Sequence, residues 1–233
     1  NQVLPYYRSE RWKPILVSAL TTALSAAYCS ANSLEYLKLA LEFISSSIPS
    51  NPQIKSIVQS SIINILNRES LPIISSFVKD GYSALNLWSS TLQHQKIDLT
   101  YTLKPNFTFI EIKPQFCSPS YKLNDIISLK IFFYLNCLNP IRFSRLEISF
   151  NQFCEIACDE SLKICENEPE STDESSLLFH SRELREFTFN FKPRQQDGAQ
   201  MLKLNSISLI LAQDDQRMTL NTVFNSPEYD SKL

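Results

Sequence analysis

The sequence predicts an α+β protein of two domains, an antiparallel α-helical segment of the kind that ends an α-solenoid, followed by an immunoglobulin-like antiparallel β-sandwich. Three observations lead there. Up to about residue 96 apolar residues recur at steps of three and four; after it they recur at steps of two. Short connections join the helical stretches, and polar turns separate the strand-like ones. With 233 residues, the chain is long enough for two cores.

In the first part, a helix from about Ser9 to Ser30 is apolar nearly all round, with Ile15, Leu16, Val17, Ala19, Leu20, Ala23 and Leu24 among its residues. Its spare apolar face asks for a cover, and helices on its N-terminal side are the expected one. The second helix, Asn32 to Ile48, places Leu34, Leu37, Leu41, Ile44 and Ile48 on one face and Glu35, Lys38, Glu42 and Ser45 on the other. Asn32 or Ser33 supplies its N-cap and Pro49 closes it. Two further helices are expected over Pro52 to Asn67 and Pro72 to Gln93. Connections of a few residues make successive helices antiparallel neighbours, in a bundle or at the end of a solenoid.

In the second part, Ile127, Leu129, Ile131, Phe133 and Leu135 alternate with mixed residues, as do Phe187, Phe189 and Phe191 with Thr188 and Asn190. Segments near 107–116, 125–136, 141–150, 184–191, 202–212 and 217–224 give six or seven strands, the pattern of an immunoglobulin-like sandwich. Burying a stripe of five such side chains contributes on the order of 10 kcal/mol gross, so these stripes belong to a core. The expected boundaries are 1–96 helical, 97–226 sandwich and 227–233 tail.

One strand loses its beat. In NPIRFSRLEISFNQFCEI, Ile141 and Phe143 are odd and Leu146, Ile148 and Phe150 are even. A strict strand cannot move its stripe to the other face; a β-bulge or a strand crossing between sheets does this, and a bulge near Ser144–Arg145 is the expectation. Leu202 and Leu204 slip likewise against Ile207, Leu209 and Leu211, with Asn205–Ser206 between. If the two strands pair, the slips bend one sheet together. Sandwich curvature accounts for this; the alternative is an edge re-aimed at a partner, which makes Arg142 and Arg145 the candidate partner-binding residues.

Composition removes most chemistry. Only two glycines, Gly81 and Gly198, stand where about sixteen are usual, so phosphate-cradling loops and the nucleophile elbow are impossible. His94 and His180 are in no paired-ligand spacing. A Cys154–His180 nucleophilic pair has no local signature, although spacing alone does not exclude it. Cys29, Cys117, Cys137, Cys154, Cys158 and Cys165 are an even set. In a large chain without a secretory leader they read as reduced thiols, with Cys29, Cys117 and Cys137 buried and the last three in no trusted zinc spacing. The Asn106-Phe107-Thr108 sequon reads as a chance match. Net charge is −2, split as 8 basic against 5 acidic residues up to Lys96 and 14 against 19 beyond. Neither part is basic enough for nucleic acid. The acidic run at about 158–176 lacks Ca²⁺-loop spacing and turn glycine, and reads as a mobile loop. No stretch has the roughly 20 apolar residues of a membrane span. A start at Asn-Gln-Val-Leu-Pro reads as an excised fragment or processed product. No catalytic residue, cofactor, metal or small-molecule substrate is expected.

I-R-F-S-R-L-E-I-S-F with N-Q-F-C (141–154), after N-C-L-N-P (136–140), resembles the TRAPP subunit 11 family where its helical foie gras domain gives way to its β-rich gryzun domain. Trp12 to Leu20 (W-x-x-I-L-x-x-A-L), E-Y-L-K-L-A-L-E-F-I (35–44) and A-L-N-L-W (84–88) extend the resemblance over most of the chain. It departs where the chain is shorter between Phe150 and Asn151, and in the acidic run. The resemblance implies a non-catalytic scaffold in a multisubunit tethering complex that activates a Rab GTPase in ER-to-Golgi and autophagic vesicle traffic. It implies other complex subunits as partners, a Rab GTPase indirectly, and a cytoplasmic place peripheral to Golgi and ER–Golgi intermediate membranes. Two rival expectations are an appendage-like sandwich that captures peptides and a cryptic Cys or Ser hydrolase.

Overall fold

A computed structural model of the chain describes residues 4, 13–45, 51–74, 77, 81–103, 109–120, 125–150, 156–157, 177–193 and 202–224. The acidic run at 158–176, Cys154, Cys158, Cys165, Asn106 and the 227–233 tail lie outside them. Four helices precede ten strands among the described residues, so the α+β class stands. The chain divides into two compact units: Asn1–Leu99 with Cys137–Asn139 and Gln213–Met218, and the remainder.

In the first unit, α1 (Lys13–Cys29) buries Leu20, Leu24, Ala27 and Tyr28, while Ile15 stays 41 % exposed. The helix stops through Ala31, whose φ of 48° is left-handed and lets the Asn32 amide return to the Ala27 carbonyl at 3.1 Å. Asn32 then caps α2 (Ser33–Ser45), its side-chain oxygen accepting from the Glu35 amide at 3.2 Å. α2 is buried more widely than its heptad-like stripe: Tyr36, Leu39, Ala40 and Phe43 join Leu37, Leu41 and Ile44, whereas Leu34 is exposed. α3 (Pro52–Leu66) opens on Asn51, which accepts from the Gln53 amide at 2.9 Å, with Pro52 where no amide is needed.

The fourth helix, α4, covers Gly81–His94 and does not begin at Pro72 as expected. Residues 71–74 are non-helical. The Pro72 carbonyl accepts from the Tyr28 hydroxyl at 2.9 Å, and the Phe77 carbonyl from the Ser25 hydroxyl at 2.8 Å, so these two residues are fastened to α1. Trp88 donates its indole N–H to the Tyr28 carbonyl at 2.8 Å and stacks edge-on to Tyr36. Tyr28, Tyr36, Phe77 and Trp88 thus form an aromatic core with ring centroids 5.6–6.3 Å apart. Two buried glutamines complete the unit. Gln59 accepts from the Leu138 and Asn139 amides and donates to the Asn139 carbonyl at 2.7 Å. Gln216 accepts from the Ile97 amide and donates to the Gln95 carbonyl.

The strands are β1 (Asp98–Thr102), β2 (Ile110–Phe116), β3 (Ile127–Leu135), β4 (Ile141–Arg142), β5 (Arg145–Phe150), β6 (Ile156–Ala157), β7 (Leu178–Phe179), β8 (Glu183–Pro193), β9 (Leu204–Gln213) and β10 (Gln216–Val223). They make two four-stranded sheets, in orders β1-β10-β9-β5 and β2-β3-β8-β6, and a β4-β7 ribbon. In the second unit β3 alternates strictly, burying Ile127, Leu129, Ile131, Phe133 and Leu135. Its neighbours β2 and β8 run antiparallel to it and add Ile110, Ile112, Phe187 and Phe189 to the same core. β1, β6 and β7 are too short or too polar to show a period, which is why alternation alone did not find them.

Candidate partner-binding site

Arg142 and Arg145 flank the slip in the β4–β5 segment. Ile141 and Arg142 pair with Phe179 and Leu178, and the Phe143 amide donates to the Leu177 carbonyl at 3.0 Å. One residue later the Ser144 amide donates to the Ile210 carbonyl at 2.8 Å, on the opposite side of the chain. The Ser144 hydroxyl also donates to that carbonyl at 2.9 Å and accepts from the Ala212 amide at 3.0 Å. The strand therefore leaves the ribbon for the β9 sheet between Phe143 and Ser144, so the stripe shifts here by a crossing and not by the bulge expected near Ser144–Arg145. Phe143 is fully buried at the crossing, its ring 5.8 Å from Phe179.

The register irregularity proper lies further on, between Ser149 and Phe150. Ser149 faces Ser206 while Phe150 faces Leu204, so Asn205 is the extra residue on β9. Its side-chain amide donates to the Phe150 carbonyl at 2.7 Å, and its own carbonyl accepts from the Phe224 amide at 2.9 Å. The two slipping strands do pair, and the bulge sits on the second.

Of the candidate residues, Arg142 is exposed on β4. Arg145 is half-exposed, its Nε 3.3 Å from Glu147 Oε1 on the same strand. Both side chains are about half exposed, but the Nε itself is buried and makes no hydrogen bond, so this pair contributes little to stability. The crossing thus sets one exposed guanidinium beside one loosely held by a carboxylate.

Sequence reasoning missed Arg185. Its guanidinium stands 5.3 Å from the Phe179 ring centroid and 5.0 Å from that of Phe187, and donates to the Leu178 carbonyl at 2.7 Å. It fastens β7 to β8 beneath the crossing. Alternation within Phe187 and Phe189 hints at the core, but nothing in the residue spacing announces an arginine stacked on it.

The other candidates are scattered. His180 is exposed, its backbone amide donating to Glu183 Oε2 at 2.8 Å; Cys154 lies outside the described residues. Cys137 is buried, but Cys29 and Cys117 are exposed, contrary to expectation: Cys29 falls at the exposed end of α1 and Cys117 follows the last residue of β2. No group of three His, Cys, Asp or Glu able to hold a metal occurs among the described residues. Nor, among them, is any helix long and apolar enough to cross a membrane.

Residues 105–231 match the model of the TRAPPC11 first Ig-like domain. The chain is 27 % identical to the trafficking protein particle complex subunit 11 of Gallus gallus over 227 residues, and 28 % identical to those of Bos taurus and Homo sapiens over 224 and 225. These alignments cover 93–94 % of the chain but 20 % of each relative, so the chain spans about a fifth of their length. No solved structure matches. With more than half its residues under that domain model and the helices before them aligned to the same relatives, the chain belongs to the TRAPPC11 family.

Proposed function

We propose that the chain is a non-catalytic scaffold segment of a TRAPP-type tethering complex subunit, supporting Rab GTPase activation in ER-to-Golgi and autophagic vesicle traffic. The observation that carries this reading is the alignment of helices and Ig-like domain together to subunit 11 of the trafficking protein particle complex. On it, residues 1–96 end an α-solenoid arm, 97–226 are the sandwich and 227–233 a tail. The part-exposed Ile15 on an otherwise apolar helix suits a position at the end of a longer helical stack. Its partners are then other subunits of the complex, a Rab GTPase indirectly, and Golgi or ER–Golgi intermediate membranes through the assembly, from the cytoplasmic side. Arg142 and Arg145 are the proposed contacts, because the crossing holds their backbone rigidly while one charge is exposed and the other only loosely paired.

The test is made in cells whose subunit is replaced by full-length protein carrying Arg142→Glu and Arg145→Glu. The altered subunit is expected to fold but to recover fewer complex subunits on affinity purification and to slow cargo exit from the ER. Unchanged recovery and traffic would remove the two arginines as contacts. If deletion of the whole stretch also left the complex intact, the scaffold reading would fall.

A further inference from the structure

The outer strand β2 has one edge on β3 and, among the described residues, none on its other side. The phase of its hydrogen bonds shows which groups that open edge offers. The Asn136 amide donates to the Phe109 carbonyl and the Cys117 amide to the Ser128 carbonyl, so residues 109, 111, 113, 115 and 117 turn their peptide groups toward β3. Ile110, Ile112, Pro114 and Phe116 therefore turn theirs outward, and at the centre of that row the outward N–H is missing. The side chains of Ile110 and Ile112 point into the core, which seats the strand, and an outer strand so held presents a row of backbone groups that could template another strand.

We infer that Pro114 holds this edge shut against a second copy of the same chain. Charge selects the pairing it prevents. With a two-fold axis at Ile112, antiparallel β2 strands would set Glu111 of each copy opposite Lys113 of the other; centring on Lys113 would oppose two lysines. In the favourable register Ile112 would face its own counterpart, and position 114 would face Ile110. Each of those 110–114 pairs needs an amide at 114. Proline supplies a ring carbon instead, losing one bond per pair and pressing Cδ against the opposing carbonyl. Glu111 and Lys113, 3.7 Å apart within one chain, remain exposed and solvated.

The test is sedimentation of the 233-residue chain over roughly 10 µM to 1 mM, the range in which a weak edge contact shows. The native chain is expected to stay monomeric, while Pro114→Val rises toward dimer mass with concentration and gains amide protection at Ile110 and Ile112. Adding Glu111→Lys to that variant should abolish the dimer, and Glu111→Lys with Lys113→Glu should restore it. A folded Pro114→Val that stays monomeric would overturn the inference, as would a dimer indifferent to the charge at 111. If neither Pro114→Val nor Pro114→Ala folds, proline serves the strand itself and the inference also falls.

Discussion

Tyr36 is wholly buried against Tyr28 and Trp88, and its hydroxyl, with Ser61 beside it, makes no well-formed hydrogen bond. Ser61 comes close enough to pull the phenol's pKa slightly down, but its proton is committed to the Ile57 carbonyl at 2.8 Å; burial dominates and pushes the pKa well above the ordinary range. A buried polar atom left unpaired is costly, so Tyr36→Phe is expected to be neutral or to stabilise by up to about 1 kcal/mol in urea melts. The pH dependence has a definite sign. A raised folded pKa means the folded state keeps its proton longer than the unfolded one, so stability is full below about pH 10 and falls as pH rises past it. Between roughly pH 9 and 11 the native chain should therefore lose more stability than Tyr36→Phe. Equal losses in the two proteins would show that the phenol is not the titrating group.

At the scale of elements, Asn205 is the extra residue that lets β9 bury Leu204 and then Ile207, Leu209 and Leu211. Deleting it would force residues on one side of the bulge to the wrong face, and the sandwich should fail to fold. Asn205→Ala keeps the count and loses the bond to the Phe150 carbonyl, costing about 1 kcal/mol by thermal melting. A deletion that melts within a few degrees of the alanine variant would refute the role given to the bulge. Both slips were legible in the sequence because a phase change is a property of spacing alone. Their mechanisms were not: whether a chain bulges or changes sheet depends on which distant carbonyl receives each amide. For the same reason the spacing does not show that 71–74 stay outside α4, since Pro72 looks helical until the Tyr28 hydroxyl claims its carbonyl. The two candidate arginines were legible as an exposed pair beside a slip; Arg185, hidden on two aromatic rings, was not.

For the whole molecule, the change of period near residue 96 gave the helix-then-strand order, yet the first compact unit is not a contiguous stretch. It takes in Cys137–Asn139, held by Gln59, and Gln213–Met218, held through Gln216. Residues 1–96 alone lack the turn at 137–139 that covers Gln59, so the short piece loses these hydrogen bonds and exposes the surface beneath them. By circular dichroism this piece should melt lower than the helices of the full chain, and in the full chain Gln59→Leu, which leaves the Leu138 and Asn139 amides without their acceptor, should cost about 1–3 kcal/mol. Equal melting of the short piece and the intact chain would show that the helices need nothing from beyond residue 96. No regular spacing signals such discontinuity, because a single glutamine reaching a remote turn leaves no period.

The crossing at Phe143 and Ser144 also bears on how fast the protein can fold. Ser144 reaches a partner 66 residues away, and Phe143 one at roughly half that separation, so neither end of the segment is anchored until a large loop has closed. Such non-local closures are slow, since their entropy is lost before any contact compensates it. The adjacent amides that join the β4–β7 ribbon to the β9 sheet thus tie this stretch of the sandwich to two long-range closures at once.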